Sequence, residues 1–368
     1  MSITNNNLFE PFIIGKTKLN NKIIMAPMTR GRADHQTHLP HFDIEGTYYQ
    51  QRATAGLIIS EGIAVSSKAI GSVNIPGLYN QQQIAQWKKI TDRVHQSGGK
   101  IFAQLWHVGR ISHPDLLDGN FPEAPSAINP KHWAFTPTGI QNTVTPRALS
   151  VQEIIQIEDN FKSAALNAIE AGFDGVEIHA ANSYLFHQFF ADSSNEREDQ
   201  YGGSTENKTR FLFETLDKIA GAIGSEKTGI RLSPLWSGAG IELDDALKHT
   251  FDVIISKLNN YDLAYLHLTG IGSLNQNNYP NPTDEIIETT GKYRKIFRGS
   301  IIINGGFDKT SAQVVLNQDV ADLVSFGVPF IANPNLVERF KDDIALSSPD
   351  TDTFYQGGTK GYIDYPVR

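Results

Sequence analysis

Ser300-Ile-Ile-Ile-Asn304-Gly305-Gly306 is the stretch on which the fold turns. Three consecutive isoleucines leave no polar face, and β-branched side chains favour a pleated strand over a helix. A strand apolar on both faces belongs in a parallel sheet that is covered on both sides. Outward from this stretch, similar runs recur near Ile23–Ala26, Leu57–Ser60, Lys100–Leu105, Gly175–His179, Gly229–Ser233, Leu263–Leu268 and Asp322–Phe326. Stretches of helical period separate them. Gln83–Gln96 sets Ile84, Trp87, Ile90 and Val94 on one face, with Gly98 as its C-cap. Ser150-Val-Gln-Glu153 is a capping box, and Ile154, Phe161, Ala165 and Ile169 face inward behind it until Gly172. Thr205–Ile223 and Asp244–Leu258 repeat the pattern, and shorter helices are expected near Lys309 and over Asn333–Phe340. Eight β/α alternations with no break in composition predict one α/β domain over residues 1–368, a (β/α)8 TIM barrel. Periodicity alone leaves a doubly wound open sheet as the alternative.

The chain has 368 residues, whereas a minimal barrel needs roughly 250. The excess falls in an N-terminal extension before Ile23, two long loops and a C-terminal tail. One loop, about His107 to Leu149, follows the third strand and holds six prolines. The other, about Thr269 to Arg298, follows the sixth. Both lie on the C-terminal rim, where barrel active sites are built, and are expected to shape the substrate pocket.

Composition excludes several functions. Forty acidic against 32 basic side chains give a formal charge of −8, which argues against a nucleic-acid-binding surface. No stretch approaches the roughly 20 apolar residues that span a bilayer. The opening MSITNNNLFEPF has neither a basic segment nor an apolar one to follow it, so a cytoplasmic protein without membrane contact is expected. There is no cysteine, which removes disulfides, thiolate nucleophiles and Cys-ligated metal or iron–sulfur centres. Redox chemistry here would need a bound organic cofactor. His35, His38 and His41 lie three apart, but no carboxylate pattern accompanies them, and no metal is expected. Neither G-x-S-x-G nor G-x-G-x-x-G is present, so a nucleophile elbow and a Rossmann-type dinucleotide site are not indicated.

The fourth strand ends in Glu177-Ile-His179, followed by Ala-Ala-Asn182-Ser-Tyr184. His179 and Asn182 can both donate hydrogen bonds to one substrate oxygen, and Tyr184 offers a phenol proton nearby. Two donors and a weak acid suit reduction of a polarised C=C bond. Taken alone, the trio reads equally well as a buried, backbone-bonded histidine with a loop asparagine and a packed tyrosine. Gly305 and Gly306 after the seventh strand, and Gly327 after the eighth, allow backbone N–H groups to approach a phosphate. Arg231, at the end of the fifth strand, needs an anionic partner: a phosphate, an anionic ring edge, or Glu177 on the neighbouring strand. Gln104 offers a donor and an acceptor to a planar heterocycle, and Thr29 puts a hydroxyl at the rim.

These residues resemble the old yellow enzyme family of FMN-dependent ene-reductases, close to its bacterial N-ethylmaleimide-reductase-like members. The resemblance runs from about Leu8 to Pro366. It is carried by Met25-Ala-Pro-Met-Thr29-Arg30, Gln104-Leu-Trp-His-Val-Gly-Arg110, His179-Ala-Ala-Asn182-Ser-Tyr184, Asn195-Glu-Arg197, Gly229-Ile-Arg231, Phe326-Gly327 and Ile331-Ala-Asn333-Pro334. It implies FMN as cofactor and NADPH or NADH as hydride donor, with hydride passing through flavin N5 to Cβ of an α,β-unsaturated carbonyl, maleimide or nitro compound. Thr29, Gln104 and Arg231 would hold the isoalloxazine, with Pro27, Met28 and Gly62 beside it. Gly305, Gly306, Gly327 and Val328 would face the phosphate. His179 and Asn182 would grip the substrate oxygen, Tyr184 would protonate Cα, and Trp106 and Tyr355 would line the cavity. Whether the chain is a monomer or a homodimer is left open.

Three departures stand out. Val328 replaces the usual arginine after the glycine of the eighth strand, which removes a phosphate contact. Ser72 replaces an aromatic residue of the pocket wall. Ser183 replaces the glycine between Asn182 and Tyr184. A non-flavin aldolase or isomerase barrel would need a Schiff-base lysine or a carboxylate base at a strand end, and neither stands out. An idle flavin-binding scaffold would not need the His179, Asn182 and Tyr184 set.

Overall fold

The computed structural model describes residues 7–270 and 282–367. Eight parallel strands close into a barrel: β1 Ile23–Met25, β2 Leu57–Ala64, β3 Ile101–Trp106, β4 Gly175–His179, β5 Thr228–Leu232, β6 Tyr265–Thr269, β7 Ile301–Asn304 and β8 Leu323–Phe326. β8 pairs back onto β1 through Val324↔Ile23 and Phe326↔Met25, so the doubly wound alternative falls. All the expected strand runs are present, displaced by a few residues at most ends.

Helices join the strands, several of them started by a side-chain cap. They are α1 Phe42–Gln50, α2 Gln81–Gln96, α3 Val151–Glu170, α4 Leu185–Phe190, α5 Thr205–Ile223, α6 Asp245–Lys257, α7 Pro282–Arg294, α8 Lys309–Asn317, α9 Val328–Ala332 and α10 Leu336–Lys341. Ser150 and Glu153 form the expected capping box on α3, and Asp308 with Ser311 forms a second on α8. Ser204 and Asp244 cap α5 and α6 by accepting backbone N–H bonds. Among the described residues, no helix is long and apolar enough to cross a membrane.

Three differences from the sequence reading have physical causes. The helix expected over Asn333–Phe340 starts three residues late, as α10, and a short α9 precedes it and ends at Ala332. Asn333 precedes Pro334, which disfavours helical backbone, and its side chain instead accepts from Ser347 N at 2.7 Å and donates to Pro329 O at 2.8 Å. Within the loop expected over Thr269–Arg298, α7 forms, with Asp284 and Glu285 in its first turn and Lys292 and Arg294 in its last. The rest of that loop, 271–281, lies outside the described residues. The loop after β3 carries structure of its own. A hairpin pairs Trp133–Thr136 with Gly139–Asn142, and Phe135 bridges to Ser72.

The barrel interior is layered. At its N-terminal end an antiparallel hairpin, Phe12–Ile14 with Thr17–Leu19, packs Ile14 and Leu19 against Ile24, Leu57, Ile59, Phe102, Tyr265, Ile302 and Leu323. Each aliphatic side chain buried there contributes about 1.5–3 kcal/mol. A large separate core lies between the strands and the helices. Above the apolar plug the interior turns polar, with Gln104, Glu177, His267 and Ser325 all buried.

Candidate active site

Alternation along β4 sends Glu177 and His179 the same way, two residues apart. Glu177 is fully buried and is the hub of the polar layer. Its Oε1 accepts from Gln104 Nε2 at 2.8 Å, and its Oε2 lies 2.8 Å from His267 Nδ1. His267 Nε2 meets Ser325 Oγ at 2.9 Å. Burial works to raise the Glu177 carboxyl, yet His267, Arg231 and Gln104 together hold it below its ordinary range. Burial also lowers His267. The pair is therefore an ionised carboxylate accepting from a neutral imidazole at Nδ1, with Nε2 left to accept the Ser325 hydroxyl proton.

Arg231 pairs in register with His179 on one side and His267 on the other. Its guanidinium donates to Thr269 Oγ1 at 3.2 Å and Asn304 Oδ1 at 3.3 Å, while Nε is buried with no protein partner. Burial lowers its pKa and the Glu177 charge opposes that shift. Of the partners expected for Arg231, Glu177 acts through space, and the direct bonds are neutral. A donor is left over.

At the mouth, three rings meet. The Trp106 ring, at the end of β3, lies 6.1 Å from that of His179 and 4.9 Å edge-on from that of Tyr184. His179 and Tyr184 are 5.0 Å apart, nearly perpendicular. Burial, then Arg231, drive the His179 pKa well below its ordinary value, so its imidazole is neutral, and its Nδ1 is buried without a partner. Burial pushes the Tyr184 phenol up to about 12, which keeps its proton on at neutral pH. Tyr355, from the C-terminal tail, is close enough to add to that shift, and its ring stacks 6.2 Å from Phe135.

Asn182 and Ser183 both adopt left-handed backbone, with φ of 56° and 64°. Such residues cost about 1–2 kcal/mol each relative to ordinary conformations. The surroundings hold them there. Asn182 N donates to Ser233 Oγ at 2.8 Å. The Ser183 hydroxyl donates to Gly238 O at 2.8 Å and accepts from Trp236 Nε1 at 2.6 Å. Ser183 thus ties the turn to the segment after β5, where a glycine would leave it free.

Gly62 pairs in register with Gln104, just past an irregularity in β2. A Cβ there would lie 2.5 Å from the Trp106 ring, so the glycine makes room for the indole. Pro27, Met28 and Thr29 follow β1 and are half-buried, and Met28 Sδ packs over Gly327, 3.5 Å from where a Cβ would stand. Gly305 and Gly306 follow β7, and Gly306 has φ +79° with open space on its Cβ side. Gly327 and Val328 open α9. The expected residues thus lie in the C-terminal halves of the barrel strands, in the segments that follow them, or on the tail. Thr29, Gly306 and Val328 are linked to the ring cluster by position only. The sequence reading did not single out His267, Ser325, Thr269 and Asn304. Their signal was available: polar residues at inward positions of otherwise apolar strands.

The sequence profile of the NADH:flavin oxidoreductase / NADH oxidase family matches residues 7–347. The chain is 39% identical over 369 residues to 12-oxophytodienoate reductase 1 of Oryza sativa subsp. japonica, covering 98% of this chain and 92% of that one. It superposes on the old yellow enzyme homologue from Zymomonas mobilis with a TM-score of 0.92, at 38% identity, over 98% and 100% of the two chains. Morphinone reductase in complex with tetrahydroNAD gives a TM-score of 0.89 at 42% identity, over 98% and 97%.

Proposed function

The chain belongs to the NADH:flavin oxidoreductase / NADH oxidase family, as an FMN-dependent ene-reductase of old yellow enzyme type that uses a nicotinamide dinucleotide, and on that premise we propose that it reduces α,β-unsaturated carbonyl, maleimide or nitro compounds at the His179–Tyr184 mouth. The observation that carries the reading is the neutral His179 imidazole grouped with Trp106 and Tyr184 at one strand end.

The residues fit the cofactor. Arg231 Nε is a buried donor without a protein partner at the barrel mouth. It would face the electron-rich edge of the isoalloxazine, with Gln104 and Thr29 bonding its polar atoms and Pro27, Met28 and Gly62 beside it. Gly306 leaves a space that a Cβ would fill, and with Gly305, Gly327 and Val328 would cradle the phosphate through backbone N–H groups. Bound FMN supplies hydride, taken from NADPH or NADH and delivered to Cβ.

His179 and Asn182 hold the substrate oxygen. Their hydrogen bonds strengthen as charge develops on that oxygen, and the buried setting enlarges the effect. His179 donates as a neutral imidazole and does not compete as an acid. Tyr184 gives its proton to Cα. A phenol that stays protonated at neutral pH is a ready donor to a developing carbanion. Trp106 and Tyr355 wall the cavity and limit water. Tyr184→Phe tests this assignment. Oxidation of the reduced enzyme by cyclohexenone should slow by about 100-fold or more, with reduction by NADPH little changed. Wild-type rates in both half-reactions would sink the proton-donor role.

A further inference from the structure

Behind the mouth lies a second group of buried charges that the reaction does not use. Glu61 of β2 immediately precedes Gly62, and Glu45 lies on α1; both are almost wholly inaccessible. Glu61 Oε2 accepts from Arg30 N at 3.3 Å, and Glu45 Oε2 accepts from His41 N. The other oxygen of each carboxyl, Glu45 Oε1 and Glu61 Oε1, has no donor from elsewhere in the protein, and the two carboxyls are within hydrogen-bonding reach of one another. Two buried carboxylates in contact cannot both be ionised, so one proton sits between them.

That pair backs the segment Arg30-Gly31-Arg32, which in turn holds the C-terminal tail. Arg30 donates to Phe354 O at 2.9 Å and Gly361 O at 2.9 Å, and Arg32 to Thr353 O at 2.8 Å and Phe354 O at 3.2 Å. Gly31 has φ +61°, and a Cβ on it would stand 2.5 Å from Tyr355 O. The tail therefore lies flat on this segment, and the tail is what carries Tyr355 to the mouth.

We propose that Glu45 and Glu61 are positioning residues whose shared proton keeps Arg30-Gly31-Arg32 in the shape that fastens Tyr355 over the substrate cavity, making alkene binding pH-dependent. Loss of the proton leaves two carboxylates in contact, and their repulsion is relieved by separation of α1 from β2, which loosens the arginine segment. The groups facing the pair are Arg30 and Arg32 from the β1 loop, Tyr48 and Tyr49 from α1, and Tyr362 from the tail. Burial holds the Tyr49 and Tyr362 phenols above the range concerned, and the arginines stay charged. Burial raises Glu61 to about 7, and burial with the Glu61 charge raises Glu45 well above the ordinary carboxylate range, so the pair gives up its last proton from about pH 7 upward. The mouth itself is silent there, because His179 titrates well below neutrality and Tyr184 near 12.

The inference rests on the ene-reductase reading above. In the holoenzyme, KM for cyclohexenone should rise about tenfold between pH 7 and pH 9, short of the roughly hundredfold that a 1 Å misplacement can cost. Hydrogen-exchange protection of residues 350–365, corrected for intrinsic rates, should fall over the same range. Glu45→Gln puts an amide donor where the proton was and cannot titrate. It should match wild type at pH 7 and hold both readouts flat to pH 9. Flat wild-type profiles, or a Glu45→Gln variant that follows wild type, would overturn the proposal. If the holoenzyme does not turn over cyclohexenone while residues 350–365 still lose protection with pH and Glu45→Gln holds that protection flat, the substrate reading above fails and the latch survives.

Discussion

Replacing Gly62 with alanine adds one methyl group and should disturb the mouth more than its size suggests. The new Cβ would lie 2.5 Å from Trp106 Cε3 and 2.8 Å from Cδ2. Carbon atoms prefer about 3.5–4.0 Å, so the indole must retreat by about 1 Å or the strand must move. Retreat brings it onto Tyr184 and His179, whose rings already lie 4.9 and 6.1 Å away. Overpacking of this kind costs about 1–3 kcal/mol of stability, and misplacing the rings around the reacting atoms can cost about 100-fold in rate. Equilibrium urea unfolding reads the first, and stopped-flow oxidation of the reduced enzyme by cyclohexenone reads the second. Trp106→Ala removes the ring that the methyl meets. In that background Gly62→Ala should cost close to nothing, a coupling of about 1–3 kcal/mol between the two sites. If Gly62→Ala costs the same in both backgrounds, or leaves stability and rate untouched, the contact does not organise the mouth.

Two further outcomes follow from the geometry. Burial, with Lys68 a lesser influence, lowers the His107 pKa to about 3, and burial, with Arg110, takes His187 to about 3. Folded histidines lowered in this way leave their stability intact above the unfolded value near 6.5 and lose it as pH falls toward 3, by up to about 1.4 kcal/mol per pH unit for each. His107→Asn should make urea midpoints measured between pH 6.5 and 5 fall less steeply, and an unchanged slope would rule His107 out as a source. At the phosphate end, Val328→Arg should tighten FMN binding about tenfold or more through one charge-assisted bond, read as a dissociation constant by fluorescence titration. An unchanged or weaker constant would place the phosphate elsewhere.

The barrel was legible because its strands are short apolar runs bounded by glycine and polar residues. Gly175–His179 is read to the residue. β2 runs on to Ala64, four residues past its expected end, because the chain slips register between Ile59 and Gly62 and resumes pairing beyond. A hydropathy pattern does not report such a slip, since Glu61 looks like the end of a strand. The interior layer was less legible for the same reason. Glu177, His267 and Ser325 are each polar residues in apolar strands, and only closure of the barrel shows that they meet. His179, Asn182 and Tyr184 were visible as a motif, but their two left-handed residues and the hold of Ser183 on Trp236 depend on a segment some fifty residues further on.

The buried chain Gln104–Glu177–His267–Ser325 also bears on how the molecule can be divided. It draws on β3, β4, β6 and β8, so neither the first four strands nor the last four contain it whole. A fragment ending after β4 would bury Glu177 without its imidazole, and one beginning at β5 would hold His267 without its carboxylate. Each cut leaves a desolvated group unsatisfied at a cost of several kcal/mol. Half-barrels of this chain should therefore be poor folding units on their own, and together they should reassemble. The polar bridge ties distant strands into one closed ring, in which β8 must find β1 across nearly the whole length of the chain before those two strands are paired on both edges.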